Sequence, residues 1–86
     1  MIAAKVIDNI WATRKAESLR GLKLMLVEVL GGIDAGRIMI AVDTISAGIG
    51  ERVLVCTGSS ARKMLDCENT PIDAIIVGII DEDCTF

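Results

Sequence analysis

The sequence predicts a mostly β chain, a small five-stranded barrel with one short helix before the last strand. Three observations lead there. Five apolar stretches of strand length are separated by glycine-, aspartate- or proline-bearing turns. Only one segment, just ahead of the last stretch, has the composition of a helix, too little for a series of parallel crossovers. Two of the stretches are apolar on both faces, as strands are when one side fills a core and the other meets something else.

The first stretch is Ile2 to Thr13. Ile2, Ala4, Val6, Ile10 and Ala12 alternate onto one face, which Asp8 interrupts. Arg14 to Gly21 is polar, ends in glycine and reads as a loop. Leu22 to Leu30 is the second strand, with Leu22, Leu24, Leu26 and Leu30 on one face and Met25, Val27 and Val29 on the other. Gly31 to Gly36 is a turn. Arg37 to Asp43 resumes as strand, with Ile38, Ile40 and Val42 on one face. Ser46 to Gly50 is a second glycine-bearing loop, and Arg52 to Thr57 is strand again. Gly58 to Asp66 carries the helix signal, a serine ahead of good helix formers that can cap the first turn. Cys67 to Thr70 closes it before Pro71. Ile72 to Asp81 is the last strand, apolar on both faces. The whole resembles an OB-fold.

The 86 residues suffice for one small domain, residues 1–86, and domains of this size struggle to bury enough core alone. Yet 52% of the residues are hydrophobic and only 2% aromatic, so aliphatic bulk exceeds what one small core needs. Oligomer interfaces are the natural place for the excess.

Charge and composition exclude several function classes. The net charge is −3, which argues against nucleic acid and anionic membrane surfaces. The chain contains no His, the commonest general base and metal ligand. The longest apolar run, Ala74 to Ile80, is far short of the ~18 residues of a membrane helix, and the N-terminal residues do not read as a signal peptide. Cys56, Cys67 and Cys84 form no CxxC pair and read as free thiols of a reducing compartment, Cys56 as a small buried hydrophobe.

The remaining motifs favour plain readings. Gly58-Ser59-Ser60-Ala61-Arg62 lacks both the base a serine nucleophile needs and the Gly-Lys-Ser/Thr of a phosphate loop. Asp81-Glu82-Asp83 reads as a solvated strand end, and Asp8, Asp43 and Asp73 are scattered. Trp11 and Phe86 are the only aromatics, too few for the stacking platform of an OB module that binds nucleic acid. Trp11 reads as packing or interface. No catalytic, cofactor or metal residue is expected. The competing readings are an OB-like binding module for nucleic acid or carbohydrate and a small enzyme using a cysteine or the carboxylates.

Several stretches, taken in order, form a recognisable pattern: Ala4-Lys5-Val6 with Thr13 and Lys15, Leu19-Arg20-Gly21 with Lys23-Leu24, and Ala41-Val42-Asp43 with Ala47-Gly48 and Gly50-Glu51. Val53-Leu54, Gly58 to Arg62, and Pro71-Ile72-Asp73 with Val77 to Asp81 complete it. The pattern resembles the EutN/CcmL family of bacterial microcompartment vertex proteins. The resemblance implies a homo-pentamer of OB-like barrels. It also implies a place in the bacterial cytoplasm at the corners of a polyhedral shell whose facets are hexameric proteins. Two departures stand out. The family commonly has an aromatic residue where this chain has Arg52, and many members continue further past Asp81. The resemblance also places the loop Ser46, Ala47, Gly48, Ile49 and Gly50 towards a central pore. Its glycines would let copies of the loop crowd an axis, although a solvent-facing turn would need glycine for its own geometry.

Overall fold

The computed structural model describes residues 1–64 and 71–85. Five strands run in the order β1 (Ile2–Ile10), β2 (Lys23–Val29), β3 (Ile38–Asp43), β4 (Arg52–Thr57) and β5 (Ala74–Ile79), with helix α1 (Ser59–Met64) ahead of β5. They close into one barrel in the spatial order β1-β2-β3-β5-β4. Every neighbouring pair is antiparallel except β3 and β5. The five-stranded barrel and the helix before its last strand are as the sequence predicts. Leu65, Asp66, the closing segment Cys67 to Thr70, and Phe86 lie outside the described residues.

Four of the expected strands are longer than those observed. β1 ends at Ile10 rather than Thr13, and it carries a bulge: Val6 opposes Val27 and Asp8 opposes Leu26, so Ile7 is the extra residue. Beyond it the alternation changes phase. Asn9 faces the interior opposite Met25, while Asp8 and Ile10 face outward opposite Leu26 and Leu24. The bulge therefore removes Asp8 from the apolar face and also takes Ile10 off it, correcting the face read from the sequence. The loop between β1 and β2 contains a 3-10 turn at Glu17–Leu19. β2, β3 and β5 begin one or two residues later than expected, and β2 and β5 also end earlier.

The interior is aliphatic and tight. Ala4 and Val6 of β1 meet Met25 and Val27 of β2, Ala41 of β3, Val53 and Val55 of β4, and Ala74 and Ile76 of β5, all at most 1% exposed. A second cluster lies outside the barrel. There Val42 and Ile75, with half-buried Leu24 and Cys56, are covered by Ala61 of α1 and by Ile72. This explains why β5 is apolar on both faces: Ile76 points in and Ile75 lies in the outer cluster. Cys56 is half-buried in that outer cluster rather than a buried core residue.

The helix starts at Ser59, so the residue in front of it is Gly58 rather than a serine. Gly58 has φ 74°, a conformation that costs glycine nothing. Its carbonyl accepts from the Ala61 N–H at 3.1 Å, and its own N–H donates to the Asp73 carbonyl at 2.7 Å.

Replacing Ile76 with Ala should cost about 2–5 kcal/mol and replacing it with Val about 0.5–1.5 kcal/mol, because the barrel interior cannot collapse onto the lost volume. Urea unfolding at fixed protein concentration measures both. Equal small costs would mean the interior is looser than its burial implies.

Candidate assembly surface

Five strands cannot hide 52% hydrophobic residues inside one barrel, and the excess is found on the outside. The accessible surface is 5609 Å², against about 4,900 Å² for a compact monomer of this mass. Part of the difference is apolar. Ile38 and Ile40 on the outer face of β3 are 48% and 49% exposed, and half-buried Leu26 of β2 opposes Ile40. On β4 and β5, Leu54 and Ile79 are 37% and 41% exposed. They line a shallow apolar groove with Ala3, Ile80, Asp81 and Cys84. Gly78 keeps that face flat, since a Cβ there would meet Leu54 Cδ1 at 3.3 Å.

The loop between β3 and β4 is built around Asp43. This side chain is fully buried, and its carboxylate accepts from the backbone N–H groups of Ile45 at 3.0 Å and Ala47 at 2.9 Å. Lys23 Nζ, at 3.3 Å, balances the charge. A carboxylate at a strand end that binds amides two and four residues on is a side-chain-built turn, which allows Ser46 its φ of 61°. The far side of the loop is tied to β1: Gly50 N–H donates to the Val6 carbonyl at 2.8 Å, and Val6 N–H to that of Glu51 at 2.9 Å.

Within Ser46 to Gly50 the residues do different things. Ala47 is 3% exposed and belongs to the protomer's own core. Gly48 donates its N–H to Glu51 Oε1 at 2.5 Å, and a Cβ there would sit 3.0 Å from that oxygen. Gly50 has φ 89°. Both glycines thus answer to geometry inside one protomer. Ser46 and Ile49 point away from it, Ile49 with 59% of its surface exposed. Ile49 and Gly50 share a shallow depression with Lys5, Val6, Ile7 and Glu28.

The Arg52 guanidinium donates to the carbonyls of Asp81 at 2.8 Å and Glu82 at 3.3 Å, anchoring the chain that leaves β5. Trp11 is 89% exposed, so it packs on nothing within the protomer. Asp8 and Asp73 do not join Asp43. Among the described residues no group of three or more His, Cys, Asp or Glu could hold a metal ion, and no helix is long and apolar enough to cross a membrane. Asp43 as the loop's organiser was missed from sequence. The signal was its place at a strand end, followed by Thr44-Ile45-Ser46.

Comparison with known proteins gives consistent results. The family model described as "Ethanolamine utilisation protein EutN/carboxysome" matches residues 1–81. The microcompartment shell vertex protein GrpN of Rhodospirillum rubrum is 45% identical over 83 residues, covering 94% of this chain and 93% of that one. The solved pentameric GrpN shell protein superposes with TM-score 0.82 at 42% identity, covering all of both chains. A pentameric shell protein of the RMM microcompartment gives TM-score 0.86 at 38% identity, covering 100% of this chain and 96% of that one.

Removing the Asp43 carboxylate strands two N–H groups. Asp43→Ala should cost about 1–3 kcal/mol in denaturant unfolding, and should speed hydrogen exchange at the Ala47 amide well above that at Val27. Unchanged exchange at Ala47 would show that the loop holds its shape without this side chain.

Proposed function

This chain belongs to the EutN/CcmL family of microcompartment shell vertex proteins, and from that premise we propose that residues 1–86 act as one OB-like shell domain that closes into a homo-pentamer and caps the vertices of a polyhedral bacterial microcompartment. The observation that carries the reading is the pair of separate apolar faces on the outside of a barrel whose interior is already full. Such faces are interfaces in waiting, and relatives of matching length are pentameric.

The geometry of a shell explains the role. Hexagonal tiles make flat sheets, and five-fold units are what closes such sheets into a polyhedron. A vertex piece needs a rigid body, a self-closing interface and a rim that meets its neighbours. It needs no catalytic group, and we assign this chain none. The partners that follow are further copies of itself and hexameric shell proteins, in the bacterial cytoplasm. The alternative, an OB-like binding module, is favoured by one feature only: Trp11 stands exposed beside a notch lined by Arg14, Lys15 and Arg20. A single ring does not make a stacking platform, and the chain's pI of about 4.7 disfavours a polyanion.

We also assign the loop Ser46, Ala47, Gly48, Ile49 and Gly50 to the neighbourhood of the five-fold axis. Ala47 is committed to the protomer's core, so Ser46 and Ile49 are the side chains that would line an opening.

Light scattering of the purified protein should give the mass of five chains; a monomer at micromolar concentration would remove the oligomeric premise, and a dimer or hexamer the five-fold part. Ile49→Asp separates the axis from a solvent-facing turn. Near the axis it sets five like charges close together, and native mass spectrometry should show pentamers lost at low ionic strength and regained at high. At a turn facing solvent the change should stay within about 0.5 kcal/mol and leave assembly untouched at any salt.

A further inference from the structure

Trp11 stands just past the end of β1 with 89% of its surface exposed. An uncovered indole is a large apolar surface of the kind that binding faces use, and its surroundings match it. Half-buried Ile10, Ala12, Leu22 and Leu24 line a depression with Trp11 and with exposed Lys15 and Lys23. Through Lys15 and Gly21 the depression continues into the notch that holds Arg14 and Arg20. None of Ile38, Ile40, Leu54 and Ile79 lines either part, so this surface is distinct from the apolar outer faces described above.

Positive charge is concentrated here. Four of the chain's nine Lys and Arg residues, Arg14, Lys15, Arg20 and Lys23, fall between positions 14 and 23, against a single carboxylate, Glu17. The chain as a whole carries −3, so this is a basic patch on an acidic protein. Glu17 pairs with Arg20 at 2.9 Å, and buried Asp43 with Lys23 at 3.3 Å. Lys15 Nζ donates to the Ala12 carbonyl at 3.1 Å, and neither Arg14 nor Lys15 forms an ion pair with a described residue. The loop that carries them is anchored. The Leu19 N–H donates to the Ala16 carbonyl at 2.9 Å, the Leu22 N–H donates to that of Leu19 at 3.2 Å, and Leu19 packs into the outer cluster. A surface already held in shape costs less to order on binding.

A recessed apolar floor flanked by cations fits a bulky apolar side chain with carboxylates on either side of it. The Arg14 guanidinium can take a carboxylate through two parallel N–H bonds. A nucleic acid would leave the aliphatic floor unused and would find one ring where base stacking uses several. An anionic membrane calls for apolar side chains that protrude, whereas Leu22 and Leu24 lie recessed. We infer that this surface is a docking site for an acidic segment of another protein, which seats an apolar side chain against Trp11, Leu22 and Leu24 and pairs its carboxylates with Arg14 and Lys15. The inference goes beyond the vertex reading and does not depend on it. A monomer would carry the same surface, and a ring would display it once per subunit.

Trp11 is the chain's one Trp and there is no Tyr, so its fluorescence reports on this surface alone. The purified wild-type protein is titrated with a blocked peptide of leucines set among glutamates. Trp11 emission should shift to shorter wavelength and saturate, and the affinity should fall with added salt. Peptides with serine for leucine, or lysine for glutamate, should give no shift. Arg14→Glu with Lys15→Glu should weaken binding about tenfold. Trp11→Ala, followed by calorimetry, should weaken it about tenfold or more, with circular dichroism and sedimentation unchanged in both variants. The lack of a saturable shift with the wild type overturns the inference. So does an equal shift with the serine peptide, which would report charge alone. Tighter binding of a single-stranded oligonucleotide or of phosphatidylserine vesicles also overturns it, making this a nucleic-acid or a membrane site. If Trp11→Ala breaks up the wild-type assembly, Trp11 belongs to a contact between copies and the inference fails. A wild type that is monomeric yet binds the peptide removes the vertex reading and upholds this one.

Discussion

Closure of the barrel is the constraint from which the rest of the molecule follows. Once five strands meet edge to edge, one face of each is committed to a shared interior. That interior is narrow, and Ala4, Ala41 and Ala74 among the valines let Met25 and Ile76 fit. The outer faces then carry whatever the sequence has left. In a chain with so many aliphatic residues, this includes Leu24, Val42 and Ile75 in the outer cluster, and Ile38, Ile40, Leu54 and Ile79, which the protomer covers only in part. A soluble monomer would have polar residues at those positions.

Closure also shapes the loops. β3 pairs with β5 only at Val42 and Asp43, so Asp43 sits where the ladder ends and the chain must turn across the barrel mouth. Buried amides at such a place need acceptors, and the carboxylate supplies two. The loop is thereby held against β1 rather than left to move with solvent, and it presents Ile49 on a fixed base. Ordering is set by one buried charge and its lysine partner, which a larger hydrophobic residue could not replace without stranding the amides.

Much of the fold was legible because its signals are local. Strand-length apolar runs, Gly-rich turns and one helix-forming segment fix the element order, and Arg52–Thr57 was placed to the residue. The bulge was not read, although Asp8 in an apolar alternation was its trace, because bulge and polar intrusion look alike until the partner strand is known. For the loop, glycine content suggested crowding at an axis. Within the protomer Gly48 answers to Glu51 and Gly50 to a left-handed turn, both matters of tertiary geometry. Arg52 read as a departure from a pattern, and its role as an anchor appears only once Asp81 is folded back beside it. The apolar outer faces were foreseeable as an excess, but their location depends on strand order, which periodicity does not carry.

The odd number of strands has a consequence for the assembled object. A chain that crosses a barrel five times enters β1 at one pole and leaves β5 towards the other, and the segment that follows then lies along the outside, where Asp81 and Cys84 share a groove with Ala3. Rotation about a ring axis repeats this direction in every subunit and never reverses it. A ring built from the barrel is therefore directional. One rim is rich in charge, where the Arg14 loop and the Asp81 segment emerge, and the other carries the glycine turn and the helix. Set into a closed wall, it would give the enclosed volume and the surrounding medium two chemically unlike surfaces.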